Sequence, residues 1–105
     1  MLDYEVTERA GDSVVLQLRG ELAGRLWTEQ LRRALEEHYV DDGVTLIRVD
    51  LSPVAFMDNH GVATLLALFK ESERRGKRFR VERPEGQVLE KLVVTGVLKV
   101  LQEGD

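Results

Sequence analysis

Between Val44 and Phe69 the chain changes hydrophobic period. Thr45 to Leu51 alternates, with Ile47, Val49 and Leu51 on one side and Leu46, Arg48 and Asp50 on the other. That is the period-two pattern of a strand. Ser52-Pro53 interrupts it, because proline supplies no N–H and biases the preceding residue away from helix. After Val54, Ala55, Phe56 and Met57 come Asp58-Asn59-His60-Gly61, and then Val62, Leu65, Leu66 and Phe69 at helical spacing. The pattern predicts a strand, an approach loop and a helix from Gly61 to about Arg75. Loops held on a rigid scaffold carry function disproportionately, so Asp58–Gly61 is the first candidate site.

The remaining segments fall around this junction. Leu2 to Glu8 alternates weakly, with Tyr4 and Val6 inward, and Ala10-Gly11-Asp12 is a turn signal. Ser13 to Arg19 alternates clearly, Val14, Leu16 and Leu18 opposing Val15, Gln17 and Arg19, so the first two strands form a hairpin. Gly20-Glu21-Leu22-Ala23-Gly24 breaks the pattern. From Arg25 to Tyr39 the period is helical, with Trp27, Leu31, Leu35 and Tyr39 on a stripe that assigns Trp27 and Tyr39 to the core. Phe79 to Glu82 is a short strand. Pro84-Glu85-Gly86 opens a third helix carrying Val88, Leu89, Leu92 and Val93, with proline in its first turn. Val97 to Leu101 reads as a last edge strand. The order β-β-α-β-α-β-α-β implies an α/β fold: a mixed sheet of about five strands with parallel neighbours and right-handed crossovers.

Composition narrows the class. At 105 residues the chain is one domain, 1–105. Hydrophobic residues are 43% and charged residues 32%, an ordinary globular balance. No apolar run reaches the roughly 20 residues of a membrane helix, and the acidic start Met1-Leu2-Asp3-Tyr4-Glu5 is no secretory signal. The expectation is a cytoplasmic protein without direct membrane insertion. There is no cysteine, which removes disulfide and thiolate chemistry, and the net charge of −4 argues against general nucleic-acid binding.

Four pieces, in this order and spacing, resemble the STAS family, and within it the bacterial anti-sigma-factor antagonists. They are Gly20-Glu21-Leu22 before the helix with Leu31-Arg32-Arg33-Ala34-Leu35, then Asp50 through Asp58, then Gly61-Val62-Ala63-Thr64-Leu65-Leu66, and finally Val94-Thr95-Gly96-Val97. The resemblance covers essentially the whole chain. It implies the small mixed sheet of SpoIIAA-like proteins, with helices mainly against one face, and a protein-binding role. Family antagonists bind an anti-sigma factor that is itself a serine kinase. That kinase phosphorylates a serine or threonine immediately before the glycine that starts the helix. Phosphorylation releases the partner, and a phosphatase resets the switch. Here His60 precedes Gly61 and Asn59 precedes His60, so the position offers no hydroxyl; Ala23 replaces a frequent acidic residue, and Asp58 is retained.

The implied partner surface centres on Asp58, Asn59, His60 and Gly61, with Gly24 and Ser52 nearby. Asp58 also reads as a helix cap, and His60 equally as a solvated surface histidine. The only other histidine is His38, with no ligand spacing, so no metal and no cofactor is expected. Asp50 at a strand end suggests a receiver-type phosphoacceptor, but an opening hairpin is the wrong topology for that. Arg74, Arg75, Lys77, Arg78, Arg80 and Arg83 form a basic run, yet Glu71, Glu73, Glu82 and Glu85 interleave with it and no aromatic row accompanies it, so nucleic acid is not expected. The first expectation is therefore an anti-sigma-factor antagonist-like interaction module, not an enzyme, unswitched by Ser/Thr phosphorylation at the usual site. Its partner is an anti-sigma factor resembling a serine kinase, and homo-oligomers are left open. The second is a non-catalytic STAS subunit of a transporter-associated or stress-signalling complex. The third, an enzyme with Asp58 and His60 as an acid–base pair, lacks a nucleophile, a metal set and a glycine-rich phosphate loop.

Overall fold

The computed structural model describes residues 1–7, 10–24 and 27–102. Among these residues five strands form one mixed sheet, β1 (Leu2–Val6), β2 (Ser13–Leu22), β3 (Leu46–Asp50), β4 (Val54–Met57) and β5 (Arg78–Glu82). Among the described residues four helices accompany it, α1 (Trp27–Tyr39), α2 (Asn59–Arg74), α3 (Gly86–Val94) and α4 (Leu98–Gln102). The strand order is β1-β2-β3-β5, with β4 pairing β2 beyond the end of β3. The opening hairpin is antiparallel and the other pairings are parallel.

Register explains why one face is apolar. Val14 pairs with Ile47 and Ile47 with Phe79; Leu16 pairs with Val49 and Val49 with Val81. Side chains alternate across a strand, so these six share a face, and none exceeds 1% exposure. Leu31 and Leu35 of α1, Leu65 and Leu68 of α2, Val88 and Leu92 of α3 and Leu101 of α4 join them in one core. The other face carries Gln17, Arg48, Asp50, Arg80 and Glu82, linked by hydrogen bonds and ion pairs. The expected helices on one face follow from this single alternation.

Four expectations change. Val97–Leu101 is not an edge strand: α4 occupies Leu98–Gln102, and the Leu101 N–H donates to the Val97 carbonyl at 3.0 Å. Five residues are too few to separate the two periods, and burial of Leu101 against the core decides for helix. The approach loop holds β4, because the end of β2 offers it a free edge. For the same reason β2 does not stop at Arg19 but runs to Leu22 through a bulge at Gly20 and Glu21. Gly20 has φ +98°, and a Cβ there would fall 2.4 Å from the Met1 carbonyl oxygen, so only glycine allows this passage. Pro84 lies outside α3, whose first residue is Gly86 with Glu85 in extended conformation before it. The predicted helix start at Arg25 and strand end at Glu8 lie outside the described residues.

The basic run dissolves into the fold. Arg74 and Arg75 pair with Glu71, and Arg75 also with Glu36. Buried Lys77 donates to the carbonyls of Asp41 and Val44 at 2.8 and 2.6 Å. Arg80 binds Glu82, and Arg83 binds Asp50. Tyr39 is buried as expected and shares a hydrogen bond with Ser72 at 3.2 Å. Trp27 is half-buried against the core, and its indole N–H donates to the Ala23 carbonyl at 2.8 Å.

Candidate functional site

The site begins with the carboxylate of Asp58. β4 delivers this residue in extended conformation, φ −103° and ψ −172°, as the N-cap of α2. Its Oδ1 accepts the Gly61 N–H at 2.8 Å, satisfying one of the donors that a helix start leaves unpaired. Its Oδ2 accepts the Gly24 N–H at 3.2 Å. One side chain thus caps α2 and ties the β2–α1 loop to it, across 34 residues of sequence. Partial burial raises its pKa, but the Gly61 and Gly24 N–H bonds and the charge of His60 outweigh this, and the group lies below the usual carboxylate range. Asp58 stays ionised at neutral pH as a structural anion.

Gly61 brings the two loops together. A Cβ at this position would stand 2.2 Å from the Leu22 carbonyl oxygen and 2.5 Å from Met57 Cγ. The absence of a side chain therefore sets how closely α2 can approach the end of β2. Behind the corner, Gln87 of α3 holds the outer edge of β4: its amide oxygen accepts the Met57 N–H and its NH2 donates to the Met57 carbonyl, both at 2.9 Å. Thr28 of α1 donates to buried Thr64 of α2 at 3.1 Å. These positioning contacts of Gln87, Thr28 and Thr64 carry no signal in the sequence, since each joins residues 30 or more apart.

Asn59 and His60 project from the first turn of α2, and both are exposed. Among the described residues neither side chain makes a hydrogen bond, so both present free polar groups to solvent. Gly24 is exposed beside them. The structure thus brings together Asp58, Asn59, His60, Gly61 and Gly24. It does not bring Ser52 to them. Ser52 sits in the turn before β4, where its N–H donates to Asp50 Oδ1 at 3.0 Å, and the length of β4 separates it from Asp58. Neither Asp58 nor His60 lines any of three concavities on the surface. No helix among the described residues is long and apolar enough to cross a membrane.

Comparison with known proteins now adds to this geometry. A family model described as "Mlab, STAS domain" matches residues 6–103. An anti-sigma-B factor antagonist of Listeria monocytogenes is 24% identical over 101 residues, covering 96% of this chain and 87% of that protein. The unphosphorylated form of the anti-sigma factor antagonist SpoIIAA superposes with a TM-score of 0.75 at 25% identity, covering 95% of this chain and 85% of that one. The phosphorylated form of SpoIIAA, a Bacillus cell fate determinant, gives a TM-score of 0.68 at 24% identity, covering 95% and 88%.

Proposed function

The chain belongs to the STAS domain family, and from that premise we propose that it is a regulatory protein-interaction module of the anti-sigma-factor antagonist type, docking through the corner at Asp58, Asn59, His60, Gly61 and Gly24. The observation that carries this reading is the division of labour at that corner. Asp58 is spent inside the molecule on two main-chain N–H groups, whereas Asn59 and His60 stand exposed on the same helix turn. A rigid base with free polar groups on top suits recognition by another protein. The partner in this reading is an anti-sigma factor, as the names of the Listeria and SpoIIAA relatives suggest, and by the family resemblance one that is like a serine kinase. The module acts in the cytoplasm and needs no catalysis of its own.

The off-signal differs in this reading. SpoIIAA exists in phosphorylated and unphosphorylated forms. A phosphoryl group adds about −1.5 to −2 charge at one surface point, which a helix N-terminus tolerates and a partner packed over it does not. His60 holds the place before Gly61, and its ring offers a serine/threonine kinase no hydroxyl. Release must then come from elsewhere, or binding persists.

The test is incubation with a kinase-like anti-sigma factor from the same organism and ATP. Complex formation without phosphate on serine or threonine is expected, with His60→Ser gaining a phosphoacceptor. Labelling of a serine or threonine in the unaltered protein would overturn the lost switch. Absence of binding to any such factor would overturn the role itself.

A further inference from the structure

The sheet face turned away from the helices carries a concavity of about 730 Å³, distinct from the Asp58 corner and lined by residues that the corner does not use. Its floor follows from strand register. Val15, Arg48 and Arg80 lie in one row across β2, β3 and β5, and Asp50 and Glu82 lie in the next. Arg83 and Gln102 stand at its rim. Small-molecule sites occupy roughly 300–1,000 Å³ and combine an apolar surface with a few fixed polar groups; this cleft offers Val15 and three guanidiniums.

The charges do not cancel. Three arginines face two carboxylates, leaving one positive charge in excess. Glu82 is shared, since Arg48 reaches it through Nε and Nη2, both at 2.9 Å, and Arg80 through Nε at 3.1 Å and Nη2 at 3.0 Å. Asp50 is 2% exposed and accepts from Gln17, the Ser52 N–H and Arg83 Nη2. Both carboxylates are thus occupied. Each guanidinium has five N–H donors in a rigid fork, so donors remain after these bonds. The carboxylates orient the arginines without using them up. Arg83 adds a further mark: its φ is +55°, a left-handed backbone in a residue that is not glycine. Such strained backbone clusters at ligand sites. Here it sets a 67% exposed guanidinium at the mouth of the cleft, tethered to Asp50 at 2.6 Å.

We propose that this cleft is a binding site for a small organic oxyanion, a carboxylate or a phosphate monoester. Arg48, Arg80 and Arg83 donate to its oxygens and Val15 lies beneath its apolar body. The site stands independently of the docking corner and gives the module a place to read a metabolite.

The arginine Nε–H resonances of the full chain report on it directly. Titration with phenyl phosphate and with benzoate at constant ionic strength should shift the Arg48, Arg80 and Arg83 signals saturably, while Arg33, paired with Glu29 on α1, stays still. The tighter of the two probes identifies the anion class. Arg80→Gln and Arg83→Gln should each weaken binding by about ten-fold, the scale of one charge-assisted hydrogen bond. Val15→Glu, which sets a third carboxylate opposite Arg48 and cancels the excess positive charge, should abolish it. Shifts that grow linearly with added salt at all arginines, or a dissociation constant unmoved by Val15→Glu, would overturn the proposal. Loss of partner binding at His60 would leave it standing.

Discussion

Gly61 and Leu22 meet at a distance that admits no side chain: a Cβ on Gly61 would sit 2.2 Å from the Leu22 carbonyl oxygen. Backbone cannot step aside as a flexible side chain can, so Gly61→Ala must push the start of α2 away from the end of β2. A loss of about 1–3 kcal/mol is expected, the range for overpacked sites. It is checked by urea denaturation, and weaker partner binding should accompany it because Asn59 and His60 move with the helix.

Asp58 holds two loops with two oxygens, and its substitutions should separate those tasks. Asp58→Ala loses the helix cap and the Gly24 bond together and should cost about 1–2 kcal/mol. Asp58→Asn keeps one carbonyl oxygen for the Gly61 N–H, since asparagine caps as well as aspartate, but its NH2 cannot accept from Gly24. Near-native stability with faster amide exchange at Gly24 is therefore expected for Asn, and loss of both for Ala. Hydrogen exchange at Gly24 and Gly61 distinguishes them.

Asp50 predicts acid sensitivity. Burial raises its pKa, but the Ser52 N–H, Gln17, the Ser52 hydroxyl and Arg83 hold it at about 2, below the ordinary 3.8. A depressed carboxylate stabilises the fold fully above its unfolded pKa, and that stability is lost as pH falls through the folded value. Asp50 should thus contribute about 2 kcal/mol at neutral pH, disappearing between about pH 4 and 2. Unfolding free energies across that window should fall less steeply for Asp50→Asn than for the unaltered protein.

Gln87 completes the outer edge of β4 in place of a further strand. Gln87→Ala removes both partners of Met57 and should cost about 1–3 kcal/mol if the groups stay buried. Gln87→Glu still accepts the Met57 N–H but sets a carboxylate against its carbonyl oxygen. Both variants should raise amide exchange at Met57, with Glu more harmful at neutral pH than at pH 4.

The alternation of Val14, Leu16 and Leu18, and of Ile47, Val49 and Leu51, was enough to assign strands with one buried face, and the stripe through Leu31 and Leu35 was enough to assign α1. These are period arguments, and a period survives in sequence because side-chain direction is fixed locally. Asp58 as a cap was legible for the same reason: its bond to Gly61 spans three residues. The charge interleaving around Arg74–Arg83 read only as a solvated helix end and edge strand; the pairing of its arginines with Glu71, Glu36, Glu82 and Asp50 was not legible in it.

Tertiary structure decided the rest, wherever the partner is distant in sequence or the run is short. β4 exists because residues Gly20, Glu21 and Leu22 of β2 present an edge to it. Val97–Leu101 is helical at its core because Leu101 needed burial, which five residues of pattern could not specify. Ser52 parted from the candidate corner because β4 carries the chain away from it, while Gly24 joined through a bond across 34 residues. The open-face cleft combines three strands and the end of a helix, so only assembly of the sheet placed Arg48, Arg80 and Arg83 together.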